Sequence, residues 1–292
     1  MSTNNAELSS HLIVPVFNLD PSMIGMKIGG FTIEKRTEMD SVGGALGNIY
    51  RKSIEKLESD HQDHISSYTG GTYIITLEQS QQGLHLNGPA MKKMINALHF
   101  FKPSDFFTGN YYCVSDCGGI CSHEPASYNK TKIPLTIKPS EIKEFNDFFN
   151  SVPIIDETSK DGPNGPKKIS MMELYDSSLR VSSIHLKFIQ YIFILELAAM
   201  SPYEMRYHVS RNIALLLGKS IEECEKIELD IKRLYDLRSA YVHSANKKIT
   251  NDDLILARSY ACRSIKKILE LGEVENLSRA YTNSGYGSFK FK

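Results

Sequence analysis

The chain has 292 residues, enough for two domains of ordinary size, and its 41% hydrophobic residues are typical of a folded protein with a buried core. Its 34 basic side chains balance its 34 acidic ones, which excludes a global basic field, so any binding of nucleic acid must depend on a local patch. The polar N-terminus lacks the pattern of a secretory signal, and five cysteines, an odd number, favour a reducing cytoplasm over a disulfide framework.

Residues 1–155 are predicted to form an α+β domain, because β-branched runs alternate with segments of helical spacing. Gly29-Gly30 lies between the first two strand patterns and suits a turn. The strands are expected over His11–Asn18, Phe31–Lys35 and Thr72–Glu78. The helices are expected over Glu38–Glu58, Pro89–Phe101 and Ser140–Phe149.

Residues 156–168, DETSKDGPNGPKK, have the polar composition of a linker. Residues 169–272 then show apolar residues at helical spacing, which predicts an all-α bundle of four helices. Gly218 suits a helix end, Ser220 with Glu223 is a capping-box pattern, and Thr250 suits an N-cap. Residues 273–292 lack a helical period and are expected to be a tail. The helices are expected over Ser170–Met200, Tyr203–Leu217, Ser220–His243 and from Thr250 onward.

The most apolar stretch, Phe188–Met200, is too short to cross a bilayer and contains Gln190 and Glu196. We therefore expect a buried core helix there, no association with a membrane, and a cytoplasmic location.

The third predicted bundle helix ends with Arg238 and His243, five residues apart. Five residues of helix turn through 500°, so the two side chains project about 140° apart. They could flank one cleft if the Arg stem wraps, if the helix end loosens, or if a second subunit supplies half of the site. The alternative is a purely structural pair that stabilises the dipole at the helix C-terminus.

Around this pair the chain resembles the HEPN superfamily, whose mark is Arg-x4–6-His near the end of the third bundle helix, and most closely its Apea-like branch. The resemblance covers about 100 residues and rests on Phe193–Leu197 (FILEL), Arg211–Gly218 (RNIALLLG) and Leu234–His243 (LYDLRSAYVH). A softer similarity to the extension that precedes such domains lies in Asn96–Asp105, NALHFFKPSD.

The resemblance implies a HEPN-like bundle that forms a homodimer, with two Arg/His pairs facing each other across a shared groove. It also implies a metal-independent endoribonuclease without a cofactor, in which the ribose 2′-hydroxyl attacks the adjacent phosphate. An imidazole can exchange a proton near neutral pH, and a guanidinium can bind phosphate oxygens as a fork. The implied setting is phage defence or a toxin–antitoxin system, with a possible antitoxin or defence partner.

Ser239 stands where active members often carry Asn, Asp or His, and Ser244 stands where a Gly commonly follows the His. These departures leave a second function open, a catalytically inactive HEPN module that binds RNA, nucleotide or a protein partner. A third possibility is a regulatory subunit in which the N-terminal domain senses a ligand and the bundle only dimerises.

Further residues are candidates for supporting roles. Glu196 lies in the most apolar helix and needs a partner, either Arg211 or Arg238, in a pair that orients the site or is merely structural. A local phosphate-binding patch is predicted at Lys232, Arg233, Lys247 and Lys248, although such a run is often only a solvated helix face.

Four soft ligands within eleven residues form a candidate zinc site, Cys113-x3-Cys117-x3-Cys121-x-His123. The spacing differs from the usual Cys-x2-Cys, so we favour the alternative, in which the cysteines are small apolar residues of a strand and a glycine turn.

Overall fold

The computed structural model describes residues 9–35, 73–80, 87–108, 112–115, 133–154, 165–200, 205–244, 248–272, 277–286 and 288. The chain divides into two compact units. One comprises Met1–Ala97 and Ser104–Asn150, and the other comprises Leu98–Pro103 and Ser151–Lys292.

The first unit contains an antiparallel sheet built around one long strand. Strand β1 pairs with β4 from Ser9 opposite Ser80 to Val16 opposite Tyr73, and its other edge pairs with β5 and β6. The full path is β2-β3-β4-β1-β5, with β6 beside β1. The three strands predicted from β-branched runs are confirmed, with ends shifted by at most two residues. The strands are β1 (Ser9–Phe17), β2 (Lys27–Ile28), β3 (Phe31–Lys35), β4 (Tyr73–Ser80), β5 (Phe107–Thr108) and β6 (Tyr112–Ser115).

Two predicted helices are present, α1 (Asn87–Phe101) and α2 (Ile142–Ser151), the second preceded by a 3-10 turn. The predicted turn at Gly29 and Gly30 is confirmed, because both have positive φ, 55° and 83°, between β2 and β3. The predicted helix over Glu38–Glu58 lies outside the described residues.

The second unit is helical. Most of its interior is formed around α4, whose side chains Phe188, Tyr191, Ile194 and Leu195 are at most 1% exposed. The helices are α3 (Gly165–Arg180), α4 (Ile184–Ala199), α5 (Met205–Leu217), α6 (Ile221–Ser244), α7 (Asn251–Leu271) and α8 (Leu277–Asn283).

The predicted single helix over Ser170–Met200 is wrong, because residues 181–183 separate α3 from α4. Ser183 caps α4 by accepting a hydrogen bond from the backbone N–H of Leu186. Serine is more favourable at an N-cap than in a helix interior. Helix α3 also begins at Gly165, so the last part of the expected linker is helical.

The expected tail contains α8, which the sequence pattern did not predict. Leu277 and Tyr281, four residues apart, are both buried, and the Tyr281 hydroxyl donates to the carbonyl of Ala198 in α4 at 3.1 Å. A single pair of buried residues is too short a signal to indicate a helix from sequence alone.

Gly218 follows the end of α5 as expected. It is not in a left-handed conformation, so the need for glycine there has another cause. A Cβ at this position would overlap Cys224 Sγ and lie 2.8 Å from the carbonyl oxygen of Ala214. Glycine is therefore required by the close approach of α6. The caps predicted for α6 and α7 are confirmed: Ser220 Oγ accepts from Glu223 N–H, and Thr250 Oγ1 accepts from Asp253 N–H. Within the described part of the chain, no helix has the length and apolar character needed to cross a bilayer.

Candidate functional site

Arg238 lies on the side of α6 that faces α4, and its side chain is 22% exposed. Its Nη2 is 4.0 Å from Glu196 Oε1, and its Cζ lies 5.6 Å from the ring centroid of Phe193 and 5.8 Å from that of Tyr235. Two aromatic rings and one carboxylate therefore hold the guanidinium against the bundle. Its Nε is buried and has no hydrogen-bond acceptor among the described residues.

Glu196 is the acidic partner of Arg238, with a side chain only 15% exposed. Burial raises the pKa of its carboxyl, although the charge of Arg238 and a hydrogen bond with the Tyr235 hydroxyl oppose that rise. Of the two partners predicted for Glu196, the structure brings Arg238 beside it. The carboxylate lies where it can position the guanidinium.

Arg211, the other predicted partner, points elsewhere. Its Nη1 and Nη2 donate to the carbonyls of Tyr281 and Ser284 at 2.8 and 2.6 Å, at the C-terminal end of α8. The last carbonyls of a helix commonly find partners outside the helix, and here the guanidinium acts as such a cap. Arg211 therefore fastens α8 to the bundle and is separate from the Glu196–Arg238 pair.

His243 is in the last turn of α6 and is exposed. The helix is continuous to Ser244, so the loosening of the helix end that would bring His243 towards its own Arg238 does not occur. Regular geometry leaves the two side chains about 140° apart around the axis. Ser239 is half-buried beside Arg238.

The surface next to the pair carries exposed apolar and stacked aromatic side chains. His185 of α4 stacks on Tyr241 of α6, with ring centroids 4.7 Å apart and an angle of 14° between the planes. Their sequence neighbours Leu186 and Val242 are 52% and 51% exposed, and Phe193 is 37% exposed. Large apolar side chains of this exposure are candidates for contact with another surface.

A cavity of about 1060 Å³ opens beside Glu196, between α3, α4 and α8. Phe193 and Glu196 line it and are also neighbours of Arg238, so the guanidinium lies close behind this part of its wall. The apolar lining consists of Leu174, Phe193, Leu197 and Met200. The polar lining consists of Lys167, Ser170, Glu173, Ser177, Glu196 and Ser278.

The basic residues predicted as a phosphate-binding patch are divided among different partners. Lys232 pairs with Glu228 at 2.6 Å, and Arg233 pairs with Asp253 of α7 at 2.5 Å while its side chain stays 50% exposed. Lys248 is exposed just before α7, and Lys247 lies outside the described residues. Arg233 and Lys248 are thus the members of the predicted patch that present charge to solvent.

The candidate zinc site falls almost entirely outside the described residues. Cys113 is part of β6, whereas Cys117, Cys121 and His123 are not described. Among the residues that are described, no group of three or more metal-ligating side chains is found.

Tyr235, Phe193 and the cavity were missed in the sequence. Tyr235 and Arg238 are three residues apart, which places them on one face of a helix, so their proximity was open to prediction. The contact of Arg238 with Phe193, which crosses from α6 to α4, was not. Comparisons with protein-family models, with curated proteins and with solved structures find no match.

Proposed function

We propose that the helical unit is a metal-independent endoribonuclease of HEPN type that acts as a homodimer. The observation that carries the proposal is the arrangement on α6. A guanidinium is held by Glu196 and two rings with its Nε unsatisfied, and an exposed imidazole lies about 1.4 turns further along the helix. An exposed His243 is accessible to a substrate, whereas a His243 buried within its own subunit would favour a scaffold.

The geometry of α6 supports the proposed dimer. Because the helix stays intact past His243, the two side chains of one subunit diverge. A second copy, related by a two-fold axis, can bring its own His243 opposite Arg238. Leu186, Phe193 and Val242 give this side of the bundle the exposed apolar surface that such an interface requires.

The proposed chemistry uses only the chain's own groups and the RNA. A base removes the proton of the ribose 2′-hydroxyl, whose oxygen attacks the adjacent phosphorus. The bond from phosphorus to the 5′-oxygen breaks, and that oxygen takes up a proton, which leaves a 2′,3′-cyclic phosphate and a 5′-hydroxyl. His243 provides proton transfer as base or acid, and Arg238 stabilises the charge that develops on the phosphoryl oxygens. The proposed setting, a cytoplasmic phage-defence or toxin–antitoxin system, follows from the resemblance alone.

The test is incubation of the purified protein with total RNA in EDTA, beside Arg238→Ala, His243→Ala and Arg180→Ala. Arg180 is an exposed arginine of the same bundle, paired with Asp176 at 3.0 Å, and serves as the control. Cleavage by the parent and the control, with loss in the other two, supports the proposal. Equal cleavage by all four indicates contamination or another site. RNA binding without cleavage by the parent favours the inactive binding module.

The shared site is tested by mixing the two inactive variants. If Arg238 of one subunit acts with His243 of the other, half of the randomly formed dimers are mixed and each carries one intact pair. The mixture should then recover about a quarter of the parent's activity. No recovery, with dimers demonstrated by size-exclusion chromatography and light scattering, would show that the pair acts within one subunit or not at all.

A further inference from the structure

Two charged groups of the site keep unused hydrogen-bonding capacity. The 4.0 Å between Arg238 Nη2 and Glu196 Oε1 exceeds the roughly 2.7–2.9 Å of a charge-assisted hydrogen bond. Arg238 Nε finds no acceptor among the described residues. Glu196 accepts from the Tyr235 hydroxyl, and a carboxylate can accept at about four positions. Arg238 Nε is therefore without an acceptor among the described residues, and the Glu196 carboxylate has room for further donors.

Glu228 of α6 is a carboxylate of the same bundle whose hydrogen-bond partners are close, and it can be compared with Glu196. It is 16% exposed, nearly the same as Glu196 at 15%, and it also has a phenol and a cation as partners. Its partners are closer, since Lys232 Nζ lies at 2.6 Å and the Tyr286 hydroxyl donates to it directly. Burial alone would raise the pKa of Glu228, but these hydrogen bonds outweigh burial and lower it.

The pKa of Glu196 moves in the opposite direction, because its carboxyl is more deeply enclosed than that of Glu228 and its partners do not offset the loss of water. Additional N–H donors reaching this carboxylate would stabilise its charged form. Glu196 lines the cavity, so a ligand there has access to it.

The cavity suits a flat aromatic group. Phe193 and Leu197 line it from α4, Leu174 lines it from α3, and its volume of about 1060 Å³ exceeds that of one base. RNA-binding proteins recognise unstacked bases by stacking them on aromatic side chains and by hydrogen bonds to their edges. Its apolar residues offer a surface for the face of a base, and its polar residues offer partners for the edge.

We propose that this cavity binds the guanine base on the 5′ side of the cleaved phosphate, with Glu196 accepting from the base and Arg238 holding the phosphate. This inference rests on the proposed ribonuclease function. A guanosine 3′-phosphate unit offers partners to both groups: N–H donors for the carboxylate, and phosphate oxygens for the guanidinium, whose side chain is 22% exposed.

The choice of guanine follows from the edge of the base. Guanine presents two parallel donors, N1–H and the N2 amino group, which match the two oxygens of a carboxylate. Adenine and cytosine each place a ring-nitrogen acceptor beside their amino donor, and uracil places its N3–H between two carbonyls. A carboxylate repels those acceptors, so Glu196 selects against the other three bases.

The test measures binding apart from cleavage, with fluorescent 2′-O-methyl oligonucleotides that lack the attacking hydroxyl. A single guanine, inosine or adenine is placed among uracils, and affinity is measured by fluorescence anisotropy in EDTA. The parent should bind guanine on the order of tenfold tighter than inosine, which lacks only the 2-amino group, and tighter than adenine. Equal affinity for the three bases would overturn the inference without the need for a variant.

Two matched variants then assign the selectivity to one carboxylate. Glu196→Gln should bind the three oligonucleotides alike. Glu228→Gln removes a carboxylate of nearly equal exposure that lies outside the cavity lining, and it should keep the preference for guanine. Loss of the preference in both variants would show that it does not depend on Glu196.

Cleavage separates this inference from the proposed function. Cutting of total RNA with no excess of guanosine at the new 3′ ends overturns the base site and leaves the ribonuclease standing. Guanine-selective binding without any cutting supports the base site and refutes the ribonuclease.

Discussion

His99, at the end of α1 in the helical unit, should make the stability of the bundle depend on pH. The ring is 4% exposed, and burial together with the nearby charge of Arg258 lowers its pKa from 6.5 to about 3. Cys262, whose thiol donates to the carbonyl of His99 at 3.4 Å, stays neutral, because burial raises its pKa to about 12. His99 is therefore neutral in the folded protein at every pH above about 3.

The sign follows from proton binding in the two states. Below pH 6.5 the unfolded chain takes up a proton on this histidine, and the folded chain cannot hold that proton until about pH 3. The free energy of unfolding is therefore highest above pH 6.5 and falls as the pH is lowered towards 3. Each pH unit in this window removes about 1.4 kcal/mol, so lowering the pH from about 7.5 to about 5.5 should cost about 1.4 kcal/mol.

The assay is urea unfolding followed by far-ultraviolet circular dichroism at the two pH values, for the parent and for His99→Gln. The variant will have its own stability, but its loss on acidification should be smaller than the parent's by about 1.4 kcal/mol. Carboxyl groups with altered pKa, such as Glu196 and Asp253, are common to both proteins and cancel in this comparison. An equal loss in parent and variant would refute the reasoning.

Two further predictions concern stability outside the candidate site. Gly218→Ala should lower the free energy of unfolding by roughly 1–3 kcal/mol, because the new Cβ overlaps Cys224. Gly272 has positive φ and no atom within 4 Å of an added Cβ. Gly272→Ala should therefore lower the free energy of unfolding by about 1–2 kcal/mol through backbone strain and leave neighbouring helices unmoved. Crystal structures or amide exchange of both variants would check this, and displacement of α6 in the Gly272 variant would contradict it. Arg211→Met should speed limited proteolysis of the segment around α8, because two carbonyls lose their cap, while the rate of RNA cleavage by intact protein stays at the parent level. A large loss of cleavage would place Arg211 in the site after all.

The starts of the last two long helices could be predicted because their signals are local. Ser220 with Glu223, and Thr250 with the acidic residues after it, satisfy free backbone N–H groups within one turn. The break at residues 181–183 was missed because apolar spacing continues on both sides of it, and the serine cap there has no acidic partner three residues later. Local capping chemistry can be recognised in sequence, whereas a break between two equally apolar segments depends on tertiary packing.

The candidate site divides in the same way. Arg238 and His243 were recognisable by spacing and resemblance, and the need for a partner of Glu196 followed from its apolar surroundings. Which of Arg211 and Arg238 pairs with Glu196 was not recognisable, since it depends on which helix packs against α4 next to Glu196. The position of α8 determines the pairing, because Arg211 donates to the carbonyls of Tyr281 and Ser284 at its C-terminal end instead of pairing with Glu196.

Helix α8 packs against the bundle and contributes a buried side chain to its core. Tyr281 fills the interior beneath α4, and Ser278 borders the proposed base-binding cavity. Apolar periodicity stops at Gly272. A protein truncated there would lose both the buried Tyr281 side chain and the Ser278 side of that cavity. An isolated bundle therefore needs the chain through Tyr286, whose hydroxyl donates to Glu228.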